Sequence, residues 1–133
     1  MTNIDTVKGI YEAFGRGDIP WILEQLAEDV VWEYGMVPNG VPWLEPRRGR
    51  KSVAGFFQAL AENLEFRSFS VPYVAGAEGV VVALADVDCI VKRSGKRLVE
   101  NHEAHIWHFG ADGKVAKFRH AADTYGHVKA LQG

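Results

Sequence analysis

The chain has 133 residues, with 15 Lys and Arg against 17 Asp and Glu and a net charge of -2. That length suits one domain with a core of its own, so residues 1–133 are read as a single unit. Interspersed charges leave no basic stripe for nucleic acid and no polybasic patch for a membrane. No apolar run approaches the roughly 20 residues that a spanning helix needs. The opening MTNIDTVKG has no apolar signal core, so a cytoplasmic protein is expected. The single cysteine, Cys89, sits mid-strand among apolar residues and reads as a small buried hydrophobe.

Residues 3–15 predict an amphipathic helix, with Ile4, Val7, Ile10, Tyr11 and Phe14 at helical spacing, Asn3 as cap and Gly15-Arg16-Gly17 as stop. A shorter helix follows from Asp18, with Pro20 in its first turn. Val30 to Tyr34 reads as a strand with Val30, Trp32 and Tyr34 on one face. Gly35 to Arg50 holds three prolines, Pro38, Pro42 and Pro46, and is expected to be an irregular lid carrying Met36, Val37, Val41, Trp43 and Leu44. The basic run Arg47, Arg48, Arg50, Lys51 reads as a solvated loop at a helix start more than as an anion site. A third helix is expected from Lys51 to Leu64, with Val53, Phe56, Phe57, Leu60 and Leu64 inward. Glu65 to Ala75 is a strand that Pro72 marks as an edge or a bulge.

From Gly79 to Asp123 the pattern is a three-stranded meander, turning at Ser94-Gly95 and at Ala111-Asp112-Gly113. On its first strand Val80, Val82, Leu84, Asp86, Asp88 and Ile90 share one face, and Val81, Ala83, Ala85, Val87, Cys89 and Val91 the other. The face with carboxylates is expected to line a pocket with Asn101, Glu103, His105 and Trp107 from the second strand and Phe118 and His120 from the third. The wholly apolar face then needs cover, and a symmetric homodimer built on Val81 to Val91 is expected. Residues 125–133 carry a weak pattern and read as a frayed helix. Helices segregated to one side of a curved antiparallel or mixed sheet make an α+β cone with its mouth beneath the lid.

Four stretches, YEAFGRGD, EDVVWEY, RRGRKSVAGFF and DGKVAKFRHAADT, taken in this order and spacing, resemble the nuclear-transport-factor-2-like (NTF2-like) superfamily. Within it the chain is similar to the SnoaL-like branch of polyketide cyclases and ketosteroid-isomerase-related proteins. The resemblance implies a cone-shaped α+β barrel, commonly dimeric, whose cavity in some members catalyses and in others only binds a polyketide-, terpenoid- or steroid-like molecule. In the steroid isomerases the shuttling aspartate falls where this chain has Trp32-Glu33-Tyr34, and the oxyanion-hole acid where it has His105. The base is missing. The limonene-epoxide-hydrolase set falls on Asp86, Asp88 and His120, with only Asp88 kept in type, while His105, His120, Tyr34 and Asp88 resemble the scytalone-dehydratase set in kind.

These readings converge on a small apolar ligand and acid–base chemistry without a cofactor. His105 and His120 are the expected acid–base pair, Asp88 and Glu103 the orienting carboxylates and Tyr34 a hydrogen-bond donor. Trp32, Trp43, Phe57, Leu84, Asp86, Asn101, Trp107 and Phe118 are the expected walls. A buried polar network that merely satisfies itself, and a non-catalytic binding dimer, are the alternatives. Strand parity keeps His102, His105 and His108 from converging on one ion; His105, His120 and one carboxylate could form a two-histidine, one-carboxylate site, but ligand spacing of the helical or short-loop kind is absent, so no metal is expected.

Overall fold

The computed structural model describes residues 1–34 and 38–132. Its elements run α1 (Asn3–Gly15), α2 (Ile19–Glu24), β1 (Leu26–Glu33), β2 (Arg47–Arg48), α3 (Arg50–Asn63), β3 (Leu64–Ala77), β4 (Val80–Val91), β5 (Arg97–Phe109), β6 (Val115–Ala121) and α4 (Thr124–Leu131). The strands form one mixed sheet in the order β2-β1-β6-β5-β4-β3, in which β1 runs parallel to β6 and every other pair is antiparallel. The helices pack on its concave side, and the α+β cone is the observed architecture. Among the described residues no helix is long and apolar enough to cross a membrane.

Local chemistry explains the element ends. α1 is capped by Thr2 and not by Asn3: the Thr2 hydroxyl accepts the Asp5 N–H while the Asp5 carboxylate accepts the Thr2 N–H, a reciprocal capping box. Asp18 caps α2 and Asp123 caps α4. The tail is therefore a capped helix that docks His127 and Ala130 into the core. The lid is a short 3-10 turn at Pro42–Leu44 that buries Trp43 and Leu44. The expected lid residues Met36 and Val37 lie outside the described residues. The basic run is a fastener: the Arg50 guanidinium donates to the Leu26 carbonyl at 2.6 and 3.2 Å, and Arg47 Nη1 donates to the Ser52 carbonyl at 3.1 Å.

The sidedness of β4 reverses the expectation. Its faces divide as the alternation predicts, but Val81, Ala83, Ala85, Val87, Cys89 and Val91 are the buried ones and line the inside of the cone. Asp86 and Asp88 project outward with Leu84. The hydrophobic effect decides this, because the fully apolar face gains most from leaving water. The homodimer face expected at Val81 to Val91 is therefore already occupied by the protein's own core.

A second departure lies in β5. Its pairing with β4 jumps from Ala85↔Glu103 to Val87↔Glu100, so Asn101 and His102 together oppose Asp86 in a bulge. His102 takes φ 60, a left-handed conformation costing a non-glycine residue roughly 1–2 kcal/mol. Asp86 holds the bulge, accepting the His102 N–H at 2.8 Å and meeting its Nδ1 at 2.9 Å. By extra residue count the bulge turns Leu98 and Glu100 to the same inner face as Glu103, His105 and Trp107.

α1 meets α2 at a contact with no room to spare: a Cβ on Gly9 would stand 2.6 Å from Cη2 of Trp21. Gly9→Val is expected to lower stability by about 1–3 kcal/mol through overpacking, read as a lower Tm in thermal melting. An unchanged Tm would contradict this packing.

Candidate functional site

Cross-strand register assembles the site. Ala83 lies opposite His105 and Ala85 opposite Glu103, so small residues on β4 leave room for large ionisable ones on β5. On the other side His105 pairs with His120 and Trp107 with Phe118, and Phe118 pairs with Trp32 of β1. The aromatic rings follow: Trp32 stacks on Phe118 at 4.1 Å, and Trp107 tilts against Phe118 at 4.5 Å.

Beside this ladder lies a cavity with about 720 Å³ of empty space, counting the part that opens to solvent. Its apolar walls include Phe14, Trp32, Trp43, Phe57, Phe66 and Phe69, and its polar groups are Tyr11, Glu100, Glu103, His105, His120 and His127.

Glu103 is the hub. One oxygen, Oε1, meets His105 Nε2 at 2.7 Å and also accepts from His120 Nε2. His105 Nδ1 lies 2.5 Å from the Tyr11 hydroxyl, which accepts Trp107 Nε1–H at 3.1 Å. With the His105 ring proton on Nε2, toward the Glu103 carboxylate, Nδ1 accepts the Tyr11 O–H while the Tyr11 oxygen accepts the Trp107 N–H. His120 Nδ1 is buried and has no hydrogen-bond partner among the described residues.

A second arm shares the hub. His127 Nε2 bonds Glu100 Oε1 at 2.7 Å and lies 3.6 Å from Glu103 Oε2. Its Nδ1 receives Trp43 Nε1–H at 2.9 Å, which ties the lid turn to α4. Glu100 Oε2 accepts the Asp123 backbone N–H at 2.7 Å.

Environment divides the charges. Burial disfavours a charge on Glu103, but His120, His105 and His127 outweigh it and hold the carboxyl well below its usual range. Burial pushes the His120 imidazole down against the pull of Glu103, so it is neutral at pH 7. Burial drives the hydroxyls of Tyr11 and Tyr34 up, and the Cys89 thiol up to about 11. Burial opposes a charge on His127, while Glu100 and Glu103 together pull it up to about 9. A second ring proton would have to sit on Nδ1, facing the Trp43 N–H, and an indole N–H cannot accept it. With Trp43 docked, His127 is therefore neutral.

Two sets of ligand-type atoms lie within 4.8 Å of one another: Glu103, His105 and His120, and Glu100, Glu103 and His127. A metal bound through the Nε2 atoms would need a proton on each Nδ1. On His120 that proton has no acceptor, and on His127 it collides with the Trp43 N–H. At the second set the Trp43 N–H therefore disfavours an ion bound through His127 Nε2.

Of the expected site residues, His105, His120 and Glu103 come together, and Trp32, Trp43, Phe57, Trp107 and Phe118 stand on the cavity wall. Tyr34 is buried behind it, edge-on to His120 at 4.9 Å, with its oxygen accepting Trp32 Nε1–H at 2.8 Å. Asp88 does not join: it lies outside the cone in a forked pair with Arg97 at 2.7 and 3.0 Å. Asp86 holds the bulge, Leu84 faces outward, and Asn101 is exposed in the bulge, so none of these lines the cavity. Tyr11, Glu100 and His127 were not expected. Tyr11 reads as one more apolar position of α1, the bulge that turns Glu100 inward has no marker in period-two reading, and Asp123 as a helix cap was the available sign for His127.

A curved mixed sheet closed over helices, with ionisable side chains gathered beside an aromatic cavity, defines an NTF2-like cone. The SnoaL-like domain family matches residues 7–118, and the chain belongs to that family. An NTF2-like protein from Burkholderia pseudomallei superposes with TM-score 0.84 at 26% identity, covering 100% of both chains. TerC, co-crystallised with polyporic acid, gives TM-score 0.80 at 20% identity over 98% of each chain. An LEH-like epoxide hydrolase from M. tuberculosis gives 0.70 at 16% identity, covering 97% of this chain and 88% of its own. At these lower identities the likeness is one of fold. No curated protein matches the chain.

Trp43→Phe is expected to release His127 Nδ1, so that under the pull of Glu100 and Glu103 the ring takes up a second proton more readily than in the parent protein, where the Trp43 N–H opposes it. Side-chain 15N NMR of the histidines reads this directly. The same charge state in both proteins would contradict the tautomer assignment.

Proposed function

We propose that the protein is a cofactor-independent acid–base enzyme acting on a small apolar molecule bound in the cone, by isomerase, dehydratase/cyclase or epoxide-hydrolase-like chemistry. The observation that carries this reading is His120. Its Nε2 is spent on Glu103, its Nδ1 is buried without a partner among the described residues, and the ring stands on the cavity wall. A lone pair left unmatched in an apolar interior is costly to a structure that makes no use of it. A substrate proton is its natural complement.

In this reading His120 Nδ1 is the base and Glu103 fixes its tautomer and stabilises its cation, the division of labour of a histidine–carboxylate pair. His105 acts on the same carboxylate, held by Tyr11 and Trp107. Tyr34 bears on the edge of the base and not on the substrate. The walls suit a flat apolar ligand, and TerC, of similar fold, was crystallised with polyporic acid. A homodimer remains part of the proposal with its face moved to the outer side of the sheet. There Tyr73 is 59% exposed, Val99 50% and Val82 37%, and Tyr73 is the cross-strand partner of Leu84, as Val82 is of Ile106.

The test uses 5-nitro-1,2-benzisoxazole, a planar apolar carbon acid that a buried base opens to a cyanophenolate. The parent protein is expected to turn it over, and His120→Gln to slow it by on the order of 100- to 10,000-fold. Because burial lowers the His120 pKa, the base is free through neutral pH, and kcat/KM falls only as pH drops below the ordinary histidine value of about 6.5. Tight binding of the probe with no turnover would instead identify a non-catalytic binding protein. For the assembly, Val82→Asp is expected to convert a dimer into a monomer in sedimentation; a monomeric parent protein would refute the dimer.

A further inference from the structure

We propose that Glu100 is the acid partner of the His120 base, a carboxyl brought to the cavity by the β5 bulge that gives a proton to the substrate oxygen on which charge develops. This rests on the acid–base reading above and adds the second half of the proton traffic.

The geometry carries it in three steps. First, β5 accepts a left-handed His102 and a two-for-one bulge, and the result is that Glu100 shares the inner face with Glu103 and stands on the cavity wall. Bulges beside active sites commonly re-aim a side chain in this way. Second, Glu100 cannot form an ion pair there. Its neighbour His127 is held neutral by the Trp43 N–H, so it offers Glu100 a hydrogen bond and no charge. Third, Glu103 is the ionised member of the two carboxyls, because His105 and His120 both donate to it. Two adjacent carboxylates in an apolar cone do not both ionise, so the proton belongs to Glu100. Burial and the proximity of Glu103 raise the pKa of Glu100, opposed by the bonds from His127 and from the Asp123 N–H. Glu100 is bonded to His127 on α4 and to the N–H of its cap Asp123, and it shares the cavity wall with the titratable groups Tyr11 on α1, Cys89 on β4, Glu103 and His105 on β5 and His120 on β6.

The proton count closes. A substrate C–H gives its proton to His120 Nδ1, the electron pair moves toward the substrate oxygen, and that oxygen takes the Glu100 proton. The site resets when one proton passes from the His120 imidazolium to the Glu100 carboxylate, with Glu103 bonded to the first and beside the second.

Two probes separate the two roles: 5-nitro-1,2-benzisoxazole, whose phenolate leaves unaided, and unsubstituted 1,2-benzisoxazole, whose phenolate needs a proton. Glu100→Gln is expected to slow the unsubstituted probe by on the order of 100-fold and the nitro probe by roughly tenfold or less. It is also expected to abolish the fall of kcat/KM with rising pH that deprotonation of Glu100 causes. Equal slowing of both probes with an unaltered pH profile overturns the proposal while leaving His120 as base. Loss of turnover by neither probe in His120→Gln overturns the base itself. Should Glu100→Gln fold poorly, 13C NMR of the carboxyls in the parent protein decides: a protonated Glu100 at pH 7 supports the acid, and an ionised Glu100 removes it.

Discussion

One carboxylate oxygen serves two histidines inside an apolar cone, and the rest of the site is arranged to make that tolerable. A buried charge is retained only when it is fully hydrogen-bonded. Glu103 meets this through His105 and His120, and each histidine is thereby committed to carry its proton on Nε2. The consequence is a pair of opposite Nδ1 positions with different fates. His105 Nδ1 is bonded to Tyr11, whereas His120 Nδ1 is buried with no hydrogen-bond partner among the described residues. The asymmetry leaves one ring nitrogen of an otherwise bonded network without a partner among the described residues.

The fold supplies this geometry through sheet register and two local irregularities. Alanines on β4 leave space opposite the bulky β5 residues, and the β5–β6 pairing sets the two histidines side by side. The bulge adds Glu100, and the capped terminal helix adds His127. Trp43 then joins the lid turn to that helix through a bond that exists only while His127 is neutral. Lid position and protonation of the second arm are thus linked, since a proton on His127 Nδ1 and the docked indole N–H compete for the same place.

Much of the fold was legible because helical spacing and Gly-containing turns are strong local signals. Asp18 as a cap and Pro72 at a bulge on an edge strand follow from backbone chemistry alone, and the β3–β4 register shifts between Ser70 and Tyr73. Alternation on β4 divided its residues correctly, yet alternation does not say which face is inside. Taking the carboxylates as the inner face put Asp86 and Asp88 in a pocket they do not reach. His105, His120 and Glu103 were identifiable because β5 pairs regularly with β4 from Glu103 to His108 and with β6 from Ala104 to His108. Glu100 was hidden because a bulge resets parity without a glycine to announce it, and Tyr11 because a tyrosine on an apolar helix face looks like packing.

Neutron diffraction at neutral pH tests the central claim most directly, since it locates the protons around Glu103. The account predicts deuterium on Nε2 of both His105 and His120, none on His120 Nδ1, and a bare Glu103 carboxylate. Deuterium on His120 Nδ1, or on Glu103 itself, would contradict it.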